Sequence, residues 1–480
     1  MPIPIEDIWS LVPEFWLVGL GLLLVLLDLF LPGDRKRLVG WAAVVGLLLV
    51  LMPILGMLGT PARTVFFNAY AVDGFAIFFK LIAVVATILV ILSTMDALRG
   101  HTSFEGEMYV LLTFAALGVC LMAASADLIL LALSIEFVSL SSYVMAGYFK
   151  SDPRSNEAGI KYFLFGAVSS AVMIYGFSIL YGLTGETNLY AIADRVRTAP
   201  QPALVLAVGM ALAGLGFKVS MVPFHQWTPD VYEGAPTPVA AFLSVASKAA
   251  GFAALVRFLM VAIDPGPVDW VAPIAVLSAV SMTLGNLLAL PQRNIKRMLA
   301  YSSISHAGFL LMGVAAHRGD FGAPGLLIYL LAYTFTNLGA FFVAIAVGGR
   351  LGSDEIAGYA GLAQRSAGLA AVMALFMLSL TGIPPTGGFL GKFYIFGAAV
   401  NNGLLWLAVV AVINSVVALY YYMNVIRVMY LLPAPLGGSM TGPVPLRLAL
   451  GIAALGTLVI GIFPQPFLTL VGAAAMLLRM

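Results

Sequence analysis

Apolar residues run along this chain in blocks of about twenty, and the polar residues collect between the blocks. Fourteen blocks stand out, at 10–31, 38–58, 72–94, 107–124, 127–149, 157–183, 203–222, 237–261, 269–290, 295–316, 321–348, 366–383 continuing after a break to 402, 405–429 and 446–474. A helix needs about 20 apolar residues to cross the hydrocarbon core of a bilayer, so each block predicts a membrane-spanning helix. The linkers are short and rich in turn residues, as in Leu31-Pro32-Gly33-Asp34 and Ser151-Asp152-Pro153, and none could hold a soluble domain. The expected fold is an all-α integral membrane protein, one membrane domain over 1–480 with about 14 transmembrane helices.

Two blocks are interrupted. The seventh breaks at Pro223 and the twelfth at Gly382-Ile383-Pro384-Pro385-Thr386-Gly387-Gly388. Non-helical backbone at membrane depth persists only where protein or water satisfies its polar groups, and paired interruptions in two halves of a chain point to an inverted repeat. Spans four to eight and nine to thirteen each number five, with the break in the fourth. An odd number reverses topology, so the two halves are inverted. The expected organisation is three N-terminal helices in 1–106, a first repeat in 107–261, a second in 269–430 and a C-terminal helix in 446–474.

Composition agrees with a lipid environment. Of 480 residues, 61% are hydrophobic and 10% charged, and mean hydropathy is +1.03; soluble domains carry about a quarter charged residues. A net charge of +2 with no basic run beyond Arg35-Lys36-Arg37 gives no footprint for nucleic acid. The single cysteine, Cys120, excludes a disulfide or a cysteine-built metal site within one chain. Residues 1–9 carry Glu6 and Asp7 where a cleavable signal would be basic. Loops after odd-numbered spans hold thirteen Lys and Arg and the opposite side five, so the positive-inside bias puts both termini outside.

The remaining six cations lie within spans: Lys80, Lys161, Lys218, Lys248, Arg257 and Lys392, joined by Glu136 in span five. Ionisable groups inside a membrane are costly and usually mark ion pathways. Five of the six are lysines, whose pKa falls readily on burial, whereas arginine stays charged. At a rise of about 1.5 Å per residue, Glu136, Lys248 and Lys392 each lie roughly 14–16 Å from one face, near the midplane. Lys218 comes out deeper toward the cytoplasm, with a side chain long enough to reach back toward Glu136. For Lys218 and Lys248 the competing reading is a buried structural ion pair. Lys161 is shallow; snorkelling competes with function for it and for Arg257. Lys80 has Asp73 seven residues earlier on the same helix face, an ion pair in the simplest reading. His225 and His306 read equally as proton shuttles and as histidines satisfied by a backbone carbonyl. Ser302, Ser303 and Ser305 line a water path or join helices.

The segments FKVSMVPFHQWTPDVYEGAPTPVAAFLSVASK (217–248), SIEFVSLSSYVMAGY (134–148), EAGIKYFLFGAVSS (157–170), NIKRMLAYSSISHAGFLLMG (294–313) and TGIPPTGGFLGKFYIF (381–396) resemble the antiporter-like membrane subunits of proton-pumping NADH:quinone oxidoreductase, respiratory complex I, and within them the subunit N type. Subunits L and M and the cation/proton antiporters share the lysine–break–Pro-Asp pattern. They usually carry a histidine soon after the Pro-Asp pair, where this chain has Val231-Tyr232-Glu233-Gly234. The resemblance implies that Glu136 and Lys218 form an acid–lysine pair, that Lys248 is the central relay and that Lys392 is the terminal proton donor and acceptor. It also implies a further, less defined role for Lys161. It implies no cofactor in this chain; NADH, FMN, iron–sulfur clusters and quinone would belong to partner subunits. The implied partners are other complex I subunits, especially neighbouring antiporter-like and small membrane subunits, in a bacterial-type plasma membrane.

Three functions follow from the sequence. The first is redox-driven proton translocation along the lysines as a non-redox subunit of NADH:quinone oxidoreductase. The second is sodium/proton antiport. The third is solute transport, which a row of lysines serves poorly because a substrate site wants convergent polar and aromatic groups.

Overall fold

The computed structural model describes residues 4–98, 102, 104–319, 321–434 and 442–475; Arg99 and Arg479, both counted in the charge bias, lie outside them. Among the described residues, thirteen helices are long and apolar enough to cross a membrane. In chain order they are α1 (Val12–Phe30), α2 (Arg37–Gly56), α3 (Gly74–Ala97), α4 (Glu105–Ala124), α5 (Leu128–Ala146), α6 (Pro153–Thr184), α7 (Gln201–Val219), α8 (Thr237–Ile263), α9 (Val271–Ala289), α10 (Ile295–Ala315) and α11 (Gly322–Leu351). After the broken α12, in two pieces α12a (Ala367–Thr381) and α12b (Gly387–Asn401), come α13 (Leu405–Leu431) and α14 (Val444–Ile462). The fourteen expected crossings are thus thirteen helices and one broken pair.

Burial sorts these helices into two shells. The apolar stretch of α8 is 100% buried and those of α3, α10 and α11 are about nine-tenths buried, whereas α1, α2, α6, α9, α13 and α14 bury 39% or less. The second group exposes Leu, Val and Phe side chains on the outside of the bundle, which cost nothing against hydrocarbon. Since lipid is as apolar as leucine, the helices associate by close packing and polar contacts. α9 and α10 illustrate this: a Cβ at Gly308 would sit 2.5 Å from the Met282 nitrogen, so the backbones themselves touch.

Helix ends are set by local chemistry. Asp127 and Asn294 cap α5 and α10, each side chain accepting from two backbone N–H groups of the first turn. Both caps also bridge to a distant loop, Asp127 to Asn188 and Asn294 to Glu355. α6 and α11, which precede those loops, both end at a left-handed glycine, Gly185 and Gly352. The two breaks match as well. α7 ends at left-handed Ser220 and α12a at left-handed Gly382, and cis Val222–Pro223 and Pro384–Pro385 bonds follow. After the first break a short helix, α7b (Trp227–Gly234), returns toward α8.

Several details differ from the sequence expectation. The last block, 446–474, is two helices: α14 stops at Ile462 and a second helix spans Gln465–Ala475, because Pro464 has no N–H to continue the ladder. α8 contains two π-helical stretches, Leu243–Ser247 directly before Lys248 and Phe258–Ile263 directly after Arg257. Lys80 does not pair with Asp73. It pairs with Glu14 of α1 at 2.8 Å, while Asp73 receives both guanidinium nitrogens of Arg257 at 2.8 and 3.0 Å. Asp73 is the N-cap of α3, its side chain turned to the Ala76 N–H; helical side chains lean toward the N-terminus, so Lys80 reaches past it. Arg257 is 2% exposed and does not snorkel.

Candidate functional site

Lys218, Lys248 and Lys392 are each 4% exposed or less. Each is held by oxygen atoms of neighbouring helices. Lys218, in the last turn of α7, donates to the Ser139 hydroxyl of α5 at 3.0 Å and packs along α8 at Gly251, one turn beyond Lys248. The break that follows is pinned: the Val222 N–H donates to Ser281 on α9 and the Trp227 indole N–H to the Phe217 carbonyl. Trp227 in turn stacks on Tyr162 of α6, centroids 4.4 Å apart.

Lys248 donates to Ser303 of α10, at 2.8 Å to the carbonyl and 2.5 Å to the hydroxyl. One turn along the same helix, His306 lies between two tyrosines, with Nδ1 2.6 Å from the Tyr329 hydroxyl and Nε2 3.2 Å from that of Tyr422. Tyr422 also meets the Ser302 hydroxyl in a short contact. A further turn along, the Phe309 ring lies 4.6 Å from the Lys392 ammonium, within range of a cation–π contact. Lys392 also donates to the Thr381 carbonyl at 2.8 Å and the Ser415 hydroxyl at 3.3 Å. Thr381 closes α12a, where helix carbonyls have no intrahelical partner, so the break itself supplies the lysine's acceptor. Residues 302/303, 306 and 309 recur every three to four positions and share one face of α10. That helix is the spine between Lys248 and Lys392.

The other expected site residues stand apart from this row. Lys218 and Glu136 make no ion pair, because Ser139, one turn beyond Glu136, takes the ammonium. Glu136 is half-buried, with Oε1 enclosed and unpartnered. Lys161 is 36% exposed and ion-paired at 2.6 Å to both Glu157 and Asp230. Asp230 and Glu233 are bridged by Arg297 at 2.7 and 2.8 Å, so Lys161 belongs to a charge cluster at the end of the bundle. His225 is half-buried, its Nδ1 enclosed without a partner; no hydrogen bond among the described residues joins it to the lysines. Tyr329, Tyr422, Thr381 and Ser415 complete the site and carry no mark in the sequence, since tyrosines and small hydroxyls are ordinary in apolar helices.

No cluster of three or more His, Cys, Asp or Glu able to hold a metal occurs among the described residues. A fourteen-crossing bundle with two broken helices and a buried row of lysines is the architecture of an antiporter-like membrane subunit. The NADH:quinone oxidoreductase/Mrp antiporter transmembrane family matches residues 125–418, and the chain belongs to it. It is 45% identical over 466 residues to NADH-quinone oxidoreductase subunit N of Heliobacterium modesticaldum, covering 96% of each protein. It is 46% identical over 436 residues to subunit N 2 of Chloroherpeton thalassium, covering 88% of this chain and 85% of that one. Its fold superposes on a chain of respiratory complex I from Thermus thermophilus with a TM-score of 0.81 and 34% identity, covering 95% and 98% of the two chains. The resemblance to subunit N read from the motifs thus extends over nearly the whole chain.

Proposed function

We propose that this chain is a membrane-arm subunit of a bacterial NADH:quinone oxidoreductase, and that it translocates protons along Glu136, Lys218, Lys248, His306 and Lys392. Redox chemistry, with NADH, FMN, iron–sulfur clusters and quinone, takes place in partner subunits. The observation that carries this reading is the polar face of α10, which sets hydroxyls and an imidazole between two buried lysines inside an apolar bundle. The hydroxyl–imidazole run Ser302–Tyr422–His306–Tyr329 is continuous in hydrogen bonds. At either end of the run, trapped water would carry the proton to Lys248 and Lys392.

The drive is electrostatic. A proton arriving on one lysine disfavours a proton on the next, so the row titrates as a coupled set and not as independent groups. Glu136 biases the end at Lys218 by its charge. The matching caps, bridges, terminal glycines and breaks of α5–α7 and α10–α12 support two inverted five-helix halves, 107–261 and 269–430. The excess of Lys and Arg in loops after odd spans supports both termini on the periplasmic side of the plasma membrane.

The test is NADH-driven acidification of inverted membrane vesicles carrying Lys248→Met or Lys392→Met in the assembled complex. Each variant is expected to lose roughly ten-fold or more of proton transport while NADH oxidation by an artificial acceptor is retained. Full proton transport in both variants would overturn the reading. Sodium-dependent transport by the isolated chain in proteoliposomes would point instead to an antiporter.

A further inference from the structure

Near the end of the bundle where α1 and α3 begin, away from the midplane row, lies a second buried charge cluster. It contains two pairs of different character. Asp73 is saturated: both carboxylate oxygens accept from the Arg257 guanidinium and Oδ1 also accepts from the Ala76 N–H, while Arg257 also donates to the Ala123 carbonyl and keeps only its Nε without a partner. Arginine does not give up its proton, so this pair is fixed.

Glu14 and Lys80 are not saturated. Glu14 is 4% exposed and Lys80 1%. Glu14 Oε1 accepts from the Tyr70 hydroxyl at 2.7 Å and from Lys80 at 2.8 Å, while Oε2 is enclosed with no partner. Lys80 also donates to the Tyr70 oxygen at 2.6 Å. The tyrosine therefore accepts from the lysine and donates to the glutamate, the geometry of a one-step relay. Burial, and after it the Glu14 charge, push the Tyr70 hydroxyl well above its usual range, so it remains a donor. The other titratable groups acting on this site are Cys120 of α4 and Asp73 at the start of α3. Toward the surface, Ser10, four residues before Glu14, is hydrogen-bonded to Arg63 at 2.9 Å, and Arg63 is exposed beside Glu6.

We propose that Glu14, Tyr70 and Lys80 form a second proton-exchange site, which passes protons between the bundle interior and the face that carries Arg63. In the exchange an Nζ–H bond of Lys80 breaks and its proton goes to the Tyr70 oxygen as the Tyr70 proton moves to Glu14. An ammonium–carboxylate pair becomes an amine and a carboxylic acid, with no change in net charge. The proton received at Oε1 is carried by rotation of the carboxyl to the position of the unpartnered Oε2, where water from the Ser10 side would collect it. The functional consequence rests on the proton-translocation reading above.

Lys80→Arg keeps the charge and the ion pair but cannot deprotonate, and Tyr70→Phe keeps the ion pair but removes the relay. In inverted vesicles bearing the assembled complex, both are expected to lower NADH-driven proton transport roughly ten-fold, equivalent to about 1.4 kcal/mol on the barrier. Complex content and NADH oxidation by an artificial acceptor should be unchanged. Wild-type transport in Lys80→Arg would make Glu14–Lys80 a structural ion pair and overturn the proposal; wild-type transport in Tyr70→Phe would overturn the relay through Tyr70, because the direct 2.8 Å contact of Lys80 with Glu14 would then suffice. Should either variant fail to assemble, infrared difference spectra of the wild-type complex on NADH addition decide. A protonated-carboxyl band that changes on reduction and is missing in Glu14→Gln supports the site, and a band unaffected by Glu14→Gln overturns it. Lys248→Met is measured alongside: loss of transport there with none in Lys80→Arg removes this inference alone.

Discussion

Lys248 contacts Ser303 twice, its ammonium nitrogen 2.8 Å from the carbonyl and 2.5 Å from the hydroxyl. The carbonyl of a residue within a helix already accepts a backbone bond, so the lysine uses its second lone pair. The hydroxyl is the part of the contact that a side-chain change removes. Ser303→Ala should leave the helix and the carbonyl contact intact and take away one charge-assisted hydrogen bond, worth about 1.5–3 kcal/mol. We expect proton transport in vesicles to fall by a factor of roughly ten, with quantities of assembled complex unchanged by native electrophoresis. Transport at the wild-type rate would mean that the carbonyl alone holds Lys248.

The hydroxyl of Tyr422 serves both His306 and Ser302, which makes these side chains a unit. His306→Gln and Tyr422→Phe should each slow proton transport several-fold, and the double variant should be about as slow as the worse single one, because groups acting through one shared contact are not additive. Additive losses in that double-mutant cycle would place the two residues on separate routes.

What the sequence made legible follows from one physical fact, that charge in an apolar block is expensive. Lys218, Lys248 and Lys392 stand out for that reason, and all three are buried in the fold. Their partners did not stand out: Tyr329, Tyr422 and Thr381 cost little in a membrane helix and become meaningful only when another helix faces them. Glu14 carries no mark in the sequence because it is the third residue of α1, where a charge is ordinary. Helical spacing put Asp73 and Lys80 on one face but could not register that Asp73 is turned back to cap its own helix. The half-buried orientation of Glu136 depends on how α5 is rotated against its neighbours and is not legible in the sequence.

Gly382 ends α12a with φ +93°, and a Cβ there would lie 2.8 Å from Cδ of Lys392. Gly382→Ala therefore strains the backbone and pushes on the lysine at once. A destabilisation of about 1–3 kcal/mol is expected, read as a lower melting temperature of the purified complex. Proton transport should fall as well, since the Lys392 stem shifts to make room and its contact with the Thr381 carbonyl shifts with it. A variant with unchanged melting and transport would show that the break relaxes freely around the added methyl.

The Asp73–Arg257 pair ties the start of α3 to α8 across a gap of 184 residues in sequence, with the two side chains 5% and 2% exposed. Removing one partner from a buried pair leaves an uncompensated charge, at a cost of about 3–5 kcal/mol, whereas replacing both with apolar residues of similar size is often close to neutral. Asp73→Leu and Arg257→Met should therefore each reduce the amount of assembled complex in the membrane sharply. Combining them should restore much of what either loses. The restoration distinguishes this pair from Glu14–Lys80. If Asp73–Arg257 only fastens the N-terminal helices to the core, the double variant regains proton transport together with assembly. Regained assembly without transport would instead mean that the fixed charges of the pair tune the neighbouring titratable groups.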